Sequence, residues 1–382
     1  MENSTQRRTI YADHNATTPL GPAARKAMIE ALDAWGNPSS SHGIGRQARE
    51  LLEKARAQVA SSCGVDTKDV VFTSGGSEAN AQAILGMHFG VEGLRVVTAE
   101  TEHSSVRDAI AFLEKRGATV YRAPVLPSGQ VDTGVLEALI REHRPHLVSL
   151  MAANNETGVV LDLEKVSALC QEFEAAFHCD CVQAFGKIPR ELWNRADLIT
   201  ISSHKIYGPK GVGALIVRGG RKLVPLPFGG TQEVKRRGGT QNMMGIIGFG
   251  AACEELAPQS ESLRPLQQRF EKALEEGLTG VSVNGSTAPR VANTSNVRIS
   301  GLVSEVMLSI LDLSGVCVSA GSACSSGSIS PSPVLLAMGL DKNQARECLR
   351  FSWGRDTSPQ DIDTVAGLVI EHVNRIRARN TR

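Results

Sequence analysis

From Asp69 onward the chain repeats one rhythm: a short apolar run, a turn, an amphipathic stretch, then another short apolar run. The runs at 70–73, 94–98, 120–123, 147–152, 176–181, 198–202 and 213–217 are too short for buried helices, so they read as strands. Helical periodicity at 78–87, 106–115, 135–143 and 163–173 separates most of them. Strands alternating with helices predict an α/β fold, a mainly parallel seven-stranded sheet with helices on both faces. Ligands of such sheets bind beyond the carboxyl ends of the strands. Chemistry is therefore expected in the residues that follow each run.

The flanks read differently. An extended 9–12 and the turn Asn15-Ala-Thr-Thr-Pro19 lead into a helix at 22–35, then a polar loop containing Gly36, Asn37, Pro38, Gly43 and Gly45. An amphipathic helix at 47–62 follows, with Leu51, Leu52, Ala55 and Val59 on one stripe. Beyond Pro258 come a helix at 262–276, strands at 281–283 and 294–299, a helix at 304–313, a strand at 316–318 and a closing helix at 359–377. These suit a small α+β domain. The expected division is a large domain, 16–257, and a small one built from 1–15 and 258–382. The small domain contains 319–333, where seven serines, two glycines and two prolines predict a mobile loop around Cys324.

Bulk properties narrow the function. A chain of 382 residues fits one large and one smaller domain. A net charge of +1 gives no reason to expect nucleic acid or an anionic membrane as partner. No run of eighteen apolar residues occurs, and the polar first eight residues lack the pattern of a secretory signal. A cytoplasmic address is expected. The eight cysteines are dispersed without a CxxC pair, which favours reduced thiols over a disulfide framework, and no metal site is expected. Cys179 and Cys181 flank Asp180 on a strand, so both thiols should face away from the acid.

The chemistry concentrates in Ser202-Ser203-His204-Lys205-Ile206-Tyr207-Gly208-Pro209, directly after the run at 198–202. An amine at the mouth of a sheet, between hydroxyls and a histidine, suits a lysine that forms a Schiff base. Asp180 ends another run, and pyridoxal phosphate needs an acid that keeps its ring nitrogen protonated. Thr73-Ser-Gly-Gly-Ser77-Glu78 bridges a strand and a helix and can cradle a phosphate; an ordinary helix start capped by Ser77 is the plainer reading. His103 opens a helix at the same edge, where an imidazole could lie over a flat ring and move protons. The amides of Asn154 and Asn155 could reach a substrate carboxylate or the ring oxygen, or form an Asx turn. Arg350 offers a planar clamp for a carboxylate or a surface ion pair, and for Arg355 the ion pair is the expectation. Cys324, among small residues, has no large apolar neighbour in sequence to bury it.

Taken in order, Asn15-Ala-Thr-Thr-Pro19, Gly36-Asn-Pro-Ser39, Thr73-Ser-Gly-Gly76, Glu102-His103, Asn154-Asn-Glu156, Ser203-His-Lys-Ile-Tyr-Gly-Pro-Lys-Gly211 and Gly321-Ser-Ala-Cys324 resemble the cysteine desulfurases of the nitrogen-fixation and iron–sulfur-assembly type. Those belong to the class-V aminotransferase family, and the resemblance covers nearly the whole chain. It implies a pyridoxal-phosphate enzyme of fold-type I, a homodimer that takes sulfur from L-cysteine and leaves L-alanine. By the same resemblance Lys205 carries the cofactor, Asp180 meets its ring nitrogen, His103 stacks on the ring and Gln183 donates to the phenolic oxygen. Gly76, Ser77, Ser202 and His204 fall on phosphate-binding positions, and Thr240 on the threonine that reaches the other subunit's phosphate. Asn155 and Arg350 match the substrate-carboxylate pair, and Cys324 the nucleophile that becomes a persulfide. The acceptor implied is an iron–sulfur scaffold or a sulfur carrier for tRNA or cofactor thiolation. The sequence departs from the family where Ser77 replaces a threonine and Asn80-Ala81 replaces Asp-Asn. Pro331-Ser-Pro-Val-Leu-Leu336 is also similar to selenocysteine lyases of this fold, which leaves that activity open. A transaminase-like activity on the same fold stays open as well, as does a sulfur-relay docking partner with secondary catalysis.

Overall fold

The computed structural model describes residues 9–256, 260–321 and 331–380. Twelve strands occur among them, in three sheets. In chain order they are β1 (Ile10–Tyr11), β2 (Val70–Thr73), β3 (Arg95–Ala99), β4 (Thr119–Ala123), β5 (Leu147–Met151), β6 (Ala176–Asp180), β7 (Leu198–Ser202), β8 (Gly213–Val217), β9 (Val281–Val283), β10 (Thr294–Ile299), β11 (Val316–Cys317) and β12 (Cys348–Ser352). The central sheet has seven strands in the order β2-β8-β7-β6-β5-β3-β4. All its pairings are parallel except those of β8, which runs antiparallel to β2 and β7. The reason is the short Gly208–Gly211 turn after β7, which leaves no room for the crossover that a parallel neighbour requires.

Alternate residues of these strands feed two cores. Phe72, Val97, Leu150, Cys179, Ile201 and Ile216 face one side, and Val71, Val96, Leu147, Leu198 and Leu215 the other. On the second side lie α3 (Gly76–His88), contributing Ala79, Ala83 and Ile84, and α4 (Ser104–Lys115), contributing Val106, Ile110 and Leu113. The first side is covered by α2 (Gly43–Cys63), by helices Thr133–His143 and Leu163–Glu172, and by Met243–Glu254. Cys179 and Cys181 are both buried in that first core, away from the acid between them.

One element differs from expectation, and two others carry detail that the sequence pattern left out. Helix α2 begins at Gly43, four residues before the periodicity does, because the His42 ring accepts a hydrogen bond from the Gly45 amide and caps it. Met243–Glu254 is apolar on every side and so carries no amphipathic signature. It is wedged between α1 (Pro22–Glu30) and α2, with Gly248 against Met28 and Gly250 against Ala55 where a Cβ would collide. The stretch expected as a loop at 319–333 is fixed at both described ends. Ser319 exchanges main-chain hydrogen bonds with Arg350 at 2.7 and 3.2 Å, and Ser332 caps a short helix, Pro333–Ala337. Cys324 lies outside the described residues.

A separate core gathers Phe270, Leu274, Val297, Leu311, Leu349, Phe351, Trp353, Ile362 and Val369 around the antiparallel sheet β12-β10-β9. Ala12 joins it, because β1 pairs with β11. The chain then crosses to the large sheet at 13–18, and that crossing forms one wall of the cleft described below.

One buried histidine makes the fold sensitive to acid. His178, in the middle of β6, hydrogen-bonds Ser149 Oγ of β5 at 2.8 Å and Thr200 Oγ1 of β7 at 3.1 Å. Burial pushes its pKa down from 6.5 to about 4. Between those values the unfolded chain binds a proton that the folded chain refuses, so stability is complete above pH 6.5 and is lost as pH falls toward 4. For this one group the loss at pH 4.5 is on the order of 2–3 kcal/mol. Denaturant midpoints at pH 7 and 4.5 should converge in His178→Asn relative to the parent; equal losses in both proteins would assign the acid sensitivity elsewhere.

Candidate active site

At the carboxyl ends of β5, β6 and β7 a cleft of about 760 Å³ opens between the central sheet and the wall formed by 13–16 and β12. Its floor is Asp180, the last residue of β6. Asp180 Oδ2 accepts from Asn80 Nδ2 at 2.7 Å, and Oδ1 from the Val182 amide at 3.0 Å. Both donors are neutral, so the carboxylate is oriented without being matched by a cation. The Asn80 amide also donates to Ser105 Oγ at 2.9 Å, and that hydroxyl lies 2.8 Å from His103 Nδ1. The Ser105 amide donates to the same ring nitrogen at 3.2 Å, so Nδ1 is the acceptor nitrogen and the ring proton sits on Nε2. The residue noted in the sequence only as a departure thus ties the acid to the histidine.

One end of the cleft is built for an anion. Helix α3 starts there with Gly75 as its cap, and no side chain caps it. Ser77 is therefore not the cap; it stands in the first turn and lines the cleft with Gly76. A Cβ on Gly76 would lie 2.9 Å from Val182 Cγ2, so only glycine leaves this approach open. Ser202 Oγ is buried beside them and has no hydrogen-bond partner among the described residues. His204 lines the same region and hydrogen-bonds Thr17 Oγ1 at 3.1 Å. Burial, reinforced by Lys205 and Lys210, pushes its pKa down to about 4.

Lys205 follows in a single 3-10 turn, Ser203–Lys205, and its Nζ donates to the Asn15 and Ala16 carbonyls at 2.5 and 2.7 Å. The turn is tight: a Cβ on Gly208 would meet Ser203 Oγ at 2.0 Å. On the facing wall Arg350 is buried, not the surface residue that an ion-pair reading would have made it. Its Nη2 pairs with Asp13 at 2.7 Å and Nη1 donates to the Asn155 carbonyl at 3.0 Å, while Nε has no partner among the described residues. Arg355 does form the expected ion pair, to Glu255 at 3.3 Å, and also stacks on Tyr207.

The cleft thus brings together Gly76, Ser77, His103, Asn155, Asp180, Gln183, Ser202, His204, Lys205 and Arg350. Thr240 does not line it; it is exposed on the turn after Arg237, whose guanidinium is held by Glu78 of α3 at 2.8 Å. That turn is anchored again by Glu233, buried and bound by both Arg56 terminal nitrogens and by the Phe72 amide. Glu233, Val234 and Lys235 all have positive φ, near 50–60°, without a glycine among them. Asn154 makes the Asx turn, its Oδ1 accepting from the Glu156 and Thr157 amides, and leaves the cleft to Asn155.

Sequence reasoning assigned no role to Asn15, Lys187, Glu102 or Glu156. Asn15 is a hub: its carbonyl accepts from Lys205 and Gln183, its Nδ2 donates to Thr294 and Asn155, and its Oδ1 accepts from Lys187 and Asn293. Glu102, beside His103, is buried with Oε1 accepting from the Met151 amide at 2.9 Å; burial and then Asp180 raise its pKa well above the usual carboxylate range. Glu156 accepts from Ser332 Oγ at 2.5 Å and is also raised by burial. The only signal available was position, since Asn15, Glu102 and Glu156 all stand in the motifs quoted above.

Residues 10–365 match the model of the aminotransferase class-V family. The cysteine desulfurase IscS of Dictyoglomus turgidum is 38% identical over 379 residues, covering 97% of this chain and 96% of its own. A NifS-like protein from Rickettsia africae, solved by X-ray crystallography, superposes with a TM-score of 0.87 at 31% identity, covering 96% of this chain and all of its own. SspA in complex with cysteine superposes with a TM-score of 0.80 at 34% identity, over 90% of this chain and 98% of its own.

Proposed function

Because this chain belongs to the class-V aminotransferase family, and within it to the cysteine desulfurases, we propose that its cleft releases sulfur from L-cysteine as L-alanine and a persulfide on Cys324. The observation that carries the reading is the convergence of Lys205, Asp180, His103 and Arg350 on one cleft with an anion-ready end. Pyridoxal phosphate is the cofactor of this family, and the residues fit it. The partnerless Ser202 hydroxyl and the uncapped start of α3 suit a phosphate. The neutrally bonded Asp180 suits a protonated ring nitrogen. When bound, the cofactor supplies an electron sink for the bonds at the substrate α-carbon.

The protein's own groups supply the rest. Lys205 provides the amine that holds the cofactor and afterwards a base beside the α-carbon. His103 presents Nε2–H as a proton donor, its other nitrogen being occupied by the Ser105 amide. Arg350 and Asn155 bind the α-carboxylate, and Asp13 fixes the guanidinium plane. The Cys324 thiolate attacks the substrate sulfur. The C–S bond breaks, a proton is added at carbon, alanine leaves, and the sulfur remains on Cys324 as a persulfide for an iron–sulfur scaffold or a sulfur-carrier protein. Thr240, turned away from its own cleft, serves the cleft of a second copy in a homodimer; the exposed Phe228 and Val234 on the same segment, 72% and 67% accessible, support a covered surface there. No helix among the described residues is long and apolar enough to cross a membrane. The seven described cysteines are free.

Incubation with L-cysteine and a thiol reductant should yield alanine and sulfide in equal amounts. Absence of alanine would sink the proposal. A requirement for a keto acid would point to transamination, and turnover of selenocysteine alone to the lyase.

A further inference from the structure

We infer that Lys187 is a positioning residue for this cleft: its amine fixes which end of the Gln183 amide faces the cofactor. Lys187 lies four residues after Gln183 on the turn that leaves β6, where Gly186 has φ +74° and approaches Leu256 too closely for a side chain. Its Nζ donates to Gln183 Oε1 and, at 3.2 Å, to Asn15 Oδ1. A lysine N–H directed at an amide selects the carbonyl end. The Gln183 NH2 group is thereby turned the other way, where it donates to the Asn15 carbonyl at 2.9 Å. Lys205 Nζ donates to that same carbonyl at 2.5 Å. The Gln183 amide and the Lys205 amine therefore stand within hydrogen-bond reach of a common point. Gln183 would thus be placed to donate to the phenolic oxygen of a cofactor held by Lys205.

The electrostatic surroundings make the arrangement durable. The charged groups facing Lys187 are Lys205 from the loop after β7 and Arg350 from β12; the His14 ring of the N-terminal wall also faces it, its pKa pushed down by burial to about 4, and the nearby Asp13 is taken up by Arg350. Burial, then Lys205 and Arg350, lower the Lys187 pKa well below the usual lysine value. Loss of one proton still leaves two N–H donors, so the two bonds to Gln183 and Asn15 survive in either protonation state.

The inference rests on the proposed roles of Lys205 and Gln183, and its test separates the two. An N–H donated to the ring oxygen competes with the proton shared between that oxygen and the Lys205 nitrogen, so losing it strengthens proton binding. With pyridoxal phosphate loaded, the pH midpoint of the visible absorbance should rise by about one unit in Lys187→Met, a tenfold change. Gln183→Leu should produce a rise of the same size, and Lys187→Gln, which keeps a donor, less than half of it. A shift in Gln183→Leu with none in Lys187→Met overturns the inference alone. No shift in Gln183→Leu overturns the role given to Gln183 itself. If Lys187→Met does not fold, Lys187→Gln decides: a midpoint as far displaced as in Gln183→Leu means that a donor at 187 does not orient the amide.

Discussion

Lys205→Ala should bind no cofactor covalently, lose the yellow colour and lose cysteine turnover by at least about 10⁴-fold, the scale seen when a covalent catalyst is removed. The protein offers a built-in control. Lys187 is a second amine facing the same region, and both lysines line one small cavity beside the cleft. It is held by Gln183 and Asn15 side-chain oxygens, on the far side of the Gln183 amide from the NH2 group that reaches the Asn15 carbonyl. Lys205 alone of the two lines the cleft that contains Asp180 and Ser202. Borohydride reduction of the parent protein, followed by peptide mapping, should therefore place the cofactor on Lys205. Recovery of the label on Lys187 would exchange the two assignments and with them most of the site.

Cys324→Ser should still change the cofactor spectrum on addition of L-cysteine but form no protein persulfide, with alanine production down by at least about 10³-fold. A serine hydroxyl is not ionised near neutral pH and does not attack sulfur, whereas the substrate-binding groups are untouched. The described residues on either side of 322–330 support the assignment. Ser319 is bonded to the main chain of Arg350, the residue proposed to hold the substrate carboxylate. Ser332 is bonded to Glu156, one residue after Asn155. Cys324 follows Ser319 by five positions, a tether of at most about 18 Å. Wild-type turnover in the variant would remove the persulfide from the mechanism; turnover of selenocysteine alone would favour the lyase reading, in which a weaker bond breaks without a protein nucleophile.

The sheet and the candidate catalytic edge were legible because both are local patterns. Seven short apolar runs mark seven strands, and Asp180, Lys205 and the α3 entry each sit next to a strand end in sequence. What escaped is long-range or lacks periodicity. Asn15 bonds residues up to 279 positions away, and nothing in a turn-forming Asn-Ala-Thr-Thr predicts that its carbonyl serves Lys205 and Gln183 together. Arg350 could be read as clamp or as surface ion pair; its burial against Asp13 depends on the β1–β11 pairing that brings the N-terminal segment across. Asn80 looked like a packing change and instead bridges Asp180 to Ser105, because α3 and α4 lie side by side on one face of the sheet. The helix at 243–254 has no polar face, so its pattern does not say which sides pack against α1 and α2.

The left-handed turn at Glu233–Lys235 has a consequence for how two copies would meet in the proposed homodimer. Three successive non-glycine residues at positive φ are each unfavourable by roughly 1–3 kcal/mol. They persist because Arg56, the Phe72 amide and Gln241 converge on the Glu233 carboxylate. The segment that displays Phe228, Val234 and Thr240 is thus ordered during folding of the single chain. A docking partner meets a finished surface, the entropy of loop ordering having been settled beforehand, and association can proceed as the seating of two rigid bodies.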